Sequence, residues 1–400
     1  MLDLDKIRSQ FPALTATSAH GRTVVHADAP GGTQAPQAVI DAIGGYLRAG
    51  NANAHGPFAT SRATDELCTQ VRSQAAQFLG ATADGIVFGP NMTTLTFHFA
   101  EAFSRELDEG DRLVCTRLDH DANVSPWLQV AERTGAQIDW IDVDPTSGTL
   151  LVDDLPVGPA TRLMAFPAAS NALGTVVDLG PLVEAARVVG AVTFMDAVHA
   201  APHVAIAQRQ LGVDVVVCSA YKFFGPHAGL LSADPDLLAR LTPRKVRPAP
   251  DSGPERWQNG TAAFETIAGV GAALDYLGGI GLADIAAHER GLSQRFLDGL
   301  DDLPHVTLHG PPRVDGRTPT FAVTVEGSSP DAVAAELAAD GIFVWAGHYY
   351  AVEPMRALGL LDSGGAVRIG FVHYHGPDDV DRVLEALDRL SSQSASIHRR

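Results

Sequence analysis

The feature that most constrains the fold of this chain is the alternation of strand-like and helix-like segments through its middle part. Short runs rich in Val, Ile or Leu predict strands at 85–89, 112–116, 137–143, 162–166, 192–195 and 213–218. Amphipathic patterns predict helices at 67–78, 94–107, 125–134 and 182–189, and Ser61 is predicted to cap the first of these. Alternating strands and helices predict an α/β fold with a mostly parallel sheet covered on both faces.

The pattern changes after about residue 280. A helix is predicted at 282–300, followed by strands at 306–309 and 320–325, a helix at 330–339, strands at 342–345 and 366–372, and a helix at 378–390. This order indicates a smaller α+β domain. We therefore predict a large domain over residues 21–280 and a small domain over 281–390. Residues 1–20 are predicted to pack on the small domain, and the polar stretch 391–400 to form a flexible tail.

Composition excludes several classes of partner. The formal net charge is −18, which opposes binding to nucleic acid or to an anionic membrane surface. The three cysteines form no CxxC pair, so neither a disulfide framework nor a zinc knuckle is expected. The sequence shows no signal-peptide pattern and no apolar run of about 18 residues, so we expect a cytoplasmic protein without a membrane partner.

Two chemically useful side chains follow neighbouring predicted strands. Asp196 ends the strand at 192–195, and Lys222 follows the strand at 213–218 between apolar flanks. The chain contains only three lysines, so an amine-dependent reaction has few candidates. Chemistry with pyridoxal 5′-phosphate (PLP) needs such a lysine, a carboxylate for the pyridine nitrogen, a stacking group and donors for the phosphate. Taken alone, an aspartate such as Asp196 is more often a helix cap or a turn residue, and a lysine such as Lys222 can lie on the surface.

The segments SAYKFFGPHAG and FMDAVHAAPH resemble motifs of the class V aminotransferases, which are fold-type-I PLP enzymes. The chain is most similar to their cysteine desulfurase and selenocysteine lyase branch. The resemblance extends from DAPGGTQAPQAV to VRIGFVHYH, with the motifs in the family's order. It implies a large domain with a seven-stranded sheet, a PLP cofactor, an amino-acid substrate and a homodimer with shared active sites.

The resemblance also assigns roles to individual residues. Lys222 would be the Schiff-base lysine, Asp196 the partner of the pyridine nitrogen, and His120 the residue stacked on the ring. The other cofactor contacts would come from His199, Asn171, Ser219, Tyr221, Asn91, Met92 and Thr93. Gly260 and Thr261 match the segment that reaches the partner subunit's phosphate. On the substrate side the resemblance places Arg368, which would hold the α-carboxylate, together with Asn171, His55 and His348.

One departure from the family pattern bears on the reaction. Desulfurases carry a nucleophilic cysteine in the loop aligned with VWAGHYYA, where this chain has Tyr350. A phenol has a reference pKa of about 10, and its oxygen cannot hold a persulfide. We therefore expect Tyr350 to act near the substrate's β-substituent, and the reaction to be a β-elimination of the C–S lyase type without a persulfide. The alternatives are an aminotransferase, an epimerase or a cysteine desulfurase.

Other functional classes are weaker interpretations. His373 and His375 lie two residues apart on a strand pattern, but no third ligand stands at a suitable spacing, so no metal site is expected. The glycines at 269–271 begin an incomplete dinucleotide motif inside a helical pattern, not after a strand. A catalytically inactive binding protein is disfavoured because the lysine, the acid and the stacking histidine are all present.

Overall fold

The computed structural model describes residues 2–18 and 21–397, and its larger sheet has seven strands. They are β1 (Ile86–Gly89), β2 (Arg112–Thr116), β3 (Gln137–Ile141), β4 (Thr161–Pro167), β5 (Val192–Asp196), β6 (Val215–Ser219) and β7 (Gly229–Ala233). Their order across the sheet is β1-β7-β6-β5-β4-β2-β3. The strands β2 to β6 pair in parallel, whereas β7 is antiparallel to both of its neighbours.

A second, smaller sheet forms from the C-terminal part of the chain. Its strands are β8 (Val306–His309), β9 (Thr320–Val325), β10 (Trp345–Gly347) and β11 (Ala366–Gly370), and all of them pair antiparallel in the order β10-β11-β9-β8. The early segment of the chain also reaches this part, because Val25 bridges to Ile342 and Asp28 bridges to Gly370. The chain therefore crosses between the two sheets before the large sheet begins.

Helices cover both sheets. They are α1 (Leu4–Arg8), α2 (Gln37–Gly50), α3 (Ala59–Leu79), α4 (Met92–Phe103), α5 (Ser125–Thr134), α6 (Leu179–Val189), α7 (Gln208–Leu211), α8 (Pro235–Arg240), α9 (Phe264–Ile280), α10 (Leu282–Leu300), α11 (Pro330–Ala339), α12 (Val352–Ala357) and α13 (Pro377–Ile397). Within the described residues no single helix is long and apolar enough to cross a membrane. The pair α9 and α10 meets those criteria only jointly, across a bend of 75°.

The central strands β4, β5 and β6 are largely buried on both faces because most of their side chains are apolar. In β4, Leu163 and Ala165 pack into one hydrophobic cluster, while Met164 and Phe166 pack into the other. Successive side chains of a strand point to opposite faces, so continuous apolar runs are what a sheet between two helical layers requires. The predicted α/β class, with a seven-stranded sheet and a smaller α+β part, is confirmed.

Some predicted elements differ from the structure. Helix α3 begins at Ala59 rather than after Ser61, since the Ser61 hydroxyl donates to the Asn53 carbonyl (2.6 Å) and accepts from the Gly56 N–H (2.6 Å). Ser61 thus closes the preceding turn instead of capping the helix. Strand β10 lies three residues later than the pattern at 342–345 suggests, and β7 has no counterpart among the predicted strands.

The domain boundaries remain predictions. The N-terminal segment contacts the C-terminal part through Arg8, whose guanidinium pairs with Asp379 (2.8 Å), and Phe11 packs on Tyr374 as well as on Phe224 of the large-sheet region. Helix α13 continues to Ile397, so the predicted tail over 391–400 includes helical backbone, and residues 398–400 lie outside the described part.

Candidate active site

Side chains from several strand ends meet at one edge of the large sheet. Asp196 is the last residue of β5, Lys222 follows β6 in a short 3-10 turn, and His120 and Asn171 follow β2 and β4. The carboxyl ends of neighbouring parallel strands share an edge, which is where open α/β sheets bind ligands. A cavity of about 440 Å³ opens there. The predicted site residues that line it are Lys222, Asp196, His120, Tyr350, His199, Asn171, Ser219, Tyr221, Asn91, Met92, Thr93, Arg368 and His348.

Three predicted site residues lie elsewhere. Gly260 and Thr261 line a separate cavity of about 630 Å³. His55 does not reach the cavity at the strand ends either. Its imidazole lies between two carboxylates, 3.2 Å from Asp65 and 3.3 Å from Glu255. His55 therefore lies outside the cavity formed by a single chain, and its placement on the substrate side stays a prediction.

Lys222 has a buried amine with an unusual proton affinity. Its Nζ donates to the Pro30 carbonyl and lies 4.9 Å from the centroid of the Tyr221 ring. Burial, and next the positive charge of Arg368, lower the pKa of Lys222 to about 7, against the opposing effect of Asp196 and Asp28. Since only the neutral amine is a nucleophile, this environment provides a reactive lysine near neutral pH.

Asp196 is a buried carboxylate at the end of β5. Its Oδ1 accepts a hydrogen bond from the Val198 N–H at 2.8 Å. Burial raises the pKa of Asp196 to about 6, although the Val198 N–H and the charge of Lys222 both lower it. A positively charged partner placed beside this carboxylate would stabilise its ionised form.

His120 and Tyr350 form a stacked pair on the cavity wall. Their ring centroids lie 5.6 Å apart with an angle of 23° between the planes. The Nδ1 atom of His120 accepts from the Ala122 N–H at 3.0 Å. Burial, followed by the charges of Lys222 and Arg368, lowers the pKa of His120 to about 3. His120 is therefore a neutral, flat ring suited to stacking rather than a cationic acid.

Arg368 is a buried cation with an open hydrogen-bonding position. It lies on β11, and its Nη1 donates to the Asn171 carbonyl at 3.0 Å. Its guanidinium carbon is 4.5 Å from the centroid of the Tyr349 ring. Burial lowers the pKa of Arg368 to about 10, so it stays charged at neutral pH. Its Nε and the neighbouring Asn171 Oδ1 have no partner among the described residues. Such a cation suits a carboxylate ligand.

The N-terminus of helix α4 forms another side of the cavity. Asn91 caps the helix by accepting from the Thr94 N–H at 2.8 Å, and the Met92 N–H donates to the Ser219 hydroxyl at 3.0 Å. A helix of this length carries a partial positive charge at its first turn, which favours a phosphate group. Elsewhere in the cavity lining, His199 Nε2 lies 3.0 Å from the Thr318 hydroxyl.

The sequence alone did not identify several residues that line the cavity. Pro30 and Gly31 come from the segment before α2, and Trp345 begins β10. At Gly31 the structure shows a close approach, because a Cβ there would meet the Trp345 indole. The others are brought in by tertiary contacts that no local pattern encodes.

Comparison with known proteins agrees with this geometry. The family model described as aminotransferase class V matches residues 25–383, which is most of the chain. The chain belongs to the aminotransferase class V family. It is 31% identical to a probable cysteine desulfurase of Mycobacterium leprae over 97% of both chains. It is 32% identical to a probable cysteine desulfurase of Halalkalibacterium halodurans, over 97% of this chain and 98% of that one.

Solved structures of cysteine desulfurases share the fold. The apo enzyme of Thermococcus onnurineus superposes with a TM-score of 0.90 at 26% identity, covering 98% of each chain. The Escherichia coli enzyme CsdA gives a TM-score of 0.87 at 25% identity, covering 98% of this chain and 99% of that one. The predicted family and the PLP-dependent enzyme class are thereby confirmed.

The class V site of this chain fits PLP. A reactive buried lysine, a buried carboxylate, a neutral ring at His120 and a helix N-terminus surround one cavity. The unpartnered Nε of Arg368 and Oδ1 of Asn171 leave polar atoms free for cofactor or substrate. When bound, PLP withdraws electrons from the bonds around the α-carbon of an amino acid. Within the described residues, no three His, Cys, Asp or Glu side chains are grouped to hold a metal ion.

No cysteine lines this class V cavity. Cys68, Cys115 and Cys218 are all free and buried in the hydrophobic clusters. Burial raises the pKa of the Cys68 thiol to about 11 and those of the other two well above the usual value. Thiolate is the nucleophilic form of cysteine, so these three residues are core residues and not sulfur carriers.

The loop that carries Tyr350 is tied to the large-sheet region. The Tyr350 carbonyl accepts from the Asp121 N–H at 2.6 Å, and the Asn171 amide donates to the Tyr349 carbonyl at 3.1 Å. Just after this loop, Glu353 pairs with Arg117. Contacts on both sides of Tyr350 hold the loop against the cavity.

The pKa of Lys222 gives a pH-dependent prediction. The amine gains its nucleophilic form as pH rises through about 7, so capture of added PLP by the cofactor-free protein should accelerate with pH and level off above that value. Stopped-flow absorbance of the cofactor measures this rate. In Arg368→Ala, loss of a repelling charge raises the pKa of Lys222, and the profile should move to higher pH. A rate independent of pH across this range contradicts the assignment.

Proposed function

We propose that this chain breaks the Cβ–S bond of cysteine or of a cysteine derivative. The observation that carries the proposal is the convergence of Lys222, Asp196 and Arg368 on one cavity in a chain whose relatives are named cysteine desulfurases. These names support the desulfurase alternative better than the elimination without a persulfide that the sequence led us to expect. Desulfuration of cysteine to alanine is therefore the first candidate reaction.

The sulfur acceptor in this first candidate is a thiol supplied by another molecule. The reaction cysteine + R–SH gives alanine + R–S–SH, in which the Cβ–S bond breaks, an S–S bond forms and a proton replaces sulfur on Cβ. An external acceptor is needed because none of the three cysteines of the chain lines the cavity. The acceptor thiol replaces the loop cysteine of the desulfurases.

Four side chains of the cavity have distinct roles in the proposed reaction. Arg368 holds the α-carboxylate, and this ion pair orients the amino acid. Lys222 Nζ, with a pKa of about 7, takes the proton from the α-carbon and returns it to the product. Asp196 keeps the pyridine nitrogen of PLP protonated. The neutral ring of His120 covers one side of the cofactor.

A second candidate is β-elimination. The position of Tyr350 and the absence of a thiol from the residues that line the cavity favour it. In this route the β-substituent leaves as sulfide or a thiol, and water converts the remainder to pyruvate and ammonium. Tyr350 would then donate a hydrogen bond to the departing group.

Product analysis tests the proposal. Holoenzyme is incubated with cysteine, with and without an added thiol such as dithiothreitol, and alanine, pyruvate and sulfide are measured. Alanine that depends on the added thiol supports desulfuration, whereas pyruvate with ammonium supports elimination. Keto-acid exchange or solvent deuterium at the α-carbon, without release of sulfur, would overturn both candidates in favour of an aminotransferase or an epimerase.

Arg368 should control the recognition of amino acids. Losing a buried bidentate partner costs on the order of 2–5 kcal/mol of binding, so Arg368→Ala should raise the KM for an amino acid by more than tenfold. It should leave the binding of the decarboxylated amine nearly unchanged. Arg187→Ala, which removes an exposed arginine on α6, is the matched control. If Arg368→Ala weakens the binding of amino acids and of amines equally, Arg368 does not bind the α-carboxylate.

We also propose that the enzyme is a homodimer in the cytoplasm. Gly260 and Thr261 are exposed, and a Cβ at Gly260 meets no atom within 4 Å, so this segment is free to contact a second copy. Light scattering after gel filtration measures the mass. A monomer with full activity would refute the shared active site.

A further inference from the structure

Two large aromatic side chains stand exposed at the mouth of the cavity. Trp345 is 53% exposed and Tyr350 is 68% exposed, and both line the cavity that holds Lys222. Exposed aromatic surface at the entrance of a concave site is typical of a ligand contact. Neither the family's cofactor chemistry nor recognition of the α-carboxylate accounts for these two side chains.

Both rings are in contact with other parts of the chain. Trp345 packs so closely on Gly31 that a Cβ there would collide with its indole. Tyr350 stacks one face on His120, and its N–H donates to His348 Nδ1 at 3.1 Å. Tyr350 also has a φ of 58°, a left-handed conformation uncommon for tyrosine, which the surrounding hydrogen bonds maintain. A preformed aromatic surface lowers the entropic cost of binding.

The charges of the cavity lie away from these rings. Among its lining residues the only Asp, Glu, Lys and Arg side chains are Asp196, Lys222 and Arg368. Asp196 and Arg368 are buried, and the amine of the partly buried Lys222 is enclosed. The mouth adds the imidazole of the exposed His348. When Arg368 and Lys222 hold an amino acid, its side chain lies in the outer part of the same cavity. That part offers aromatic faces and no full charge to pair with.

We propose that Trp345 and Tyr350 form a subsite for an uncharged, flat or aromatic group on the β-substituent, so that the enzyme prefers S-substituted cysteines to free cysteine. The assignment of sulfur-containing substrates rests on the proposed Cβ–S cleavage, in the form of its second candidate, β-elimination. Elimination from such a substrate, R–S–CH₂–CH(NH₃⁺)–CO₂⁻ with water, yields R–SH, pyruvate and ammonium.

Binding without cleavage tests the subsite by itself. The absorbance of the cofactor in the holoenzyme is titrated with phenylalanine, alanine and aspartate. Phenylalanine should bind about three- to tenfold more tightly than alanine, which is the advantage an aromatic contact provides. Trp345→Ala and Tyr350→Ala should each reduce this preference, and Tyr350→Phe should retain it. Phe343→Ala is the matched control, because Phe343 is exposed but does not line the cavity.

Turnover then tests the substrate class. S-benzylcysteine should be cleaved with a kcat/KM above that of cysteine, and Trp345→Ala should reverse this order. Equal affinity for phenylalanine and alanine, or tighter binding of aspartate, would overturn the subsite. A retained preference for phenylalanine with no sulfur-containing product from either cysteine compound would instead overturn the proposed cleavage and leave the aromatic subsite in place.

Discussion

Replacing Lys222 by alanine should abolish turnover and the covalent attachment of PLP. Losing the base that removes the α-proton is by itself expected to reduce the rate by about 100- to 10,000-fold. Losing the amine also removes the group to which the cofactor is attached. Borohydride treatment of the wild-type holoenzyme should fix the cofactor to a peptide that contains Lys222. Mass spectrometry of the digested protein identifies the labelled residue, and absorbance reports the bound cofactor.

The other two lysines provide the controls for this experiment. Lys6 is exposed on α1, and Lys245 pairs with the exposed Asp251. Lys6→Ala should therefore leave cofactor attachment and rate unchanged. Labelling of Lys6 or Lys245, or normal turnover in Lys222→Ala, would end the assignment. Addition of ethylamine should restore part of the activity of Lys222→Ala if the missing group is an amine.

The sequence predicts the parts of the site that follow strand ends. Asp196 and Lys222 stand at the ends of two buried apolar runs, and those runs are adjacent strands in the structure. Local patterns suffice here because both strands are short, mainly apolar runs that are followed by polar side chains. The strands 112–116, 306–309 and 320–325 and the helices 125–134, 282–300 and 330–339 also match their predicted bounds.

Arg368 shows what a sequence pattern cannot provide. An arginine in a strand is expected at an exposed edge, and only the family resemblance placed it in the site. In the structure β11 lies between β10 and β9, and Arg368 is 5% exposed. The order of strands in a sheet is set by tertiary packing, so burial of a charged side chain cannot be read from its neighbours in sequence.

The mouth of the cavity was missed for a related reason. Pro30 accepts a hydrogen bond from Lys222, which is 192 residues away, and Gly31 packs on Trp345 of the small sheet. Three distant segments therefore build one wall. Strand β7 was missed because its short GLLSA sequence carries little periodicity, and its antiparallel pairing with β6 becomes apparent only in the sheet.

Replacing Asp196 by asparagine should slow the removal of the α-proton by on the order of 100- to 1,000-fold while much of the cofactor binding remains. Asparagine keeps the size of the side chain but cannot stabilise a protonated pyridine nitrogen, so electrons from the α-carbon are accepted less readily. Retention of PLP is expected because Lys222 and the N-terminus of α4 are untouched. Exchange of the α-proton in deuterated water, followed by nuclear magnetic resonance, measures this step without depending on which product forms.

The control for Asp196 lies at the opposite edge of the same sheet. Asp214 accepts hydrogen bonds from the N–H (2.8 Å) and the hydroxyl (2.7 Å) of Thr193, near the amino end of β5. Asp214→Asn should lower thermal stability by weakening these hydrogen bonds and leave proton exchange in the folded enzyme unchanged. Asp196→Asn replaces a buried charge with a neutral amide, so the fold should be kept. Exchange of the α-proton should nevertheless be slowed strongly. Near-normal exchange in Asp196→Asn would show that this carboxylate does not face the pyridine nitrogen. The site would then need another acid, and the residues that line the cavity include no other Asp or Glu.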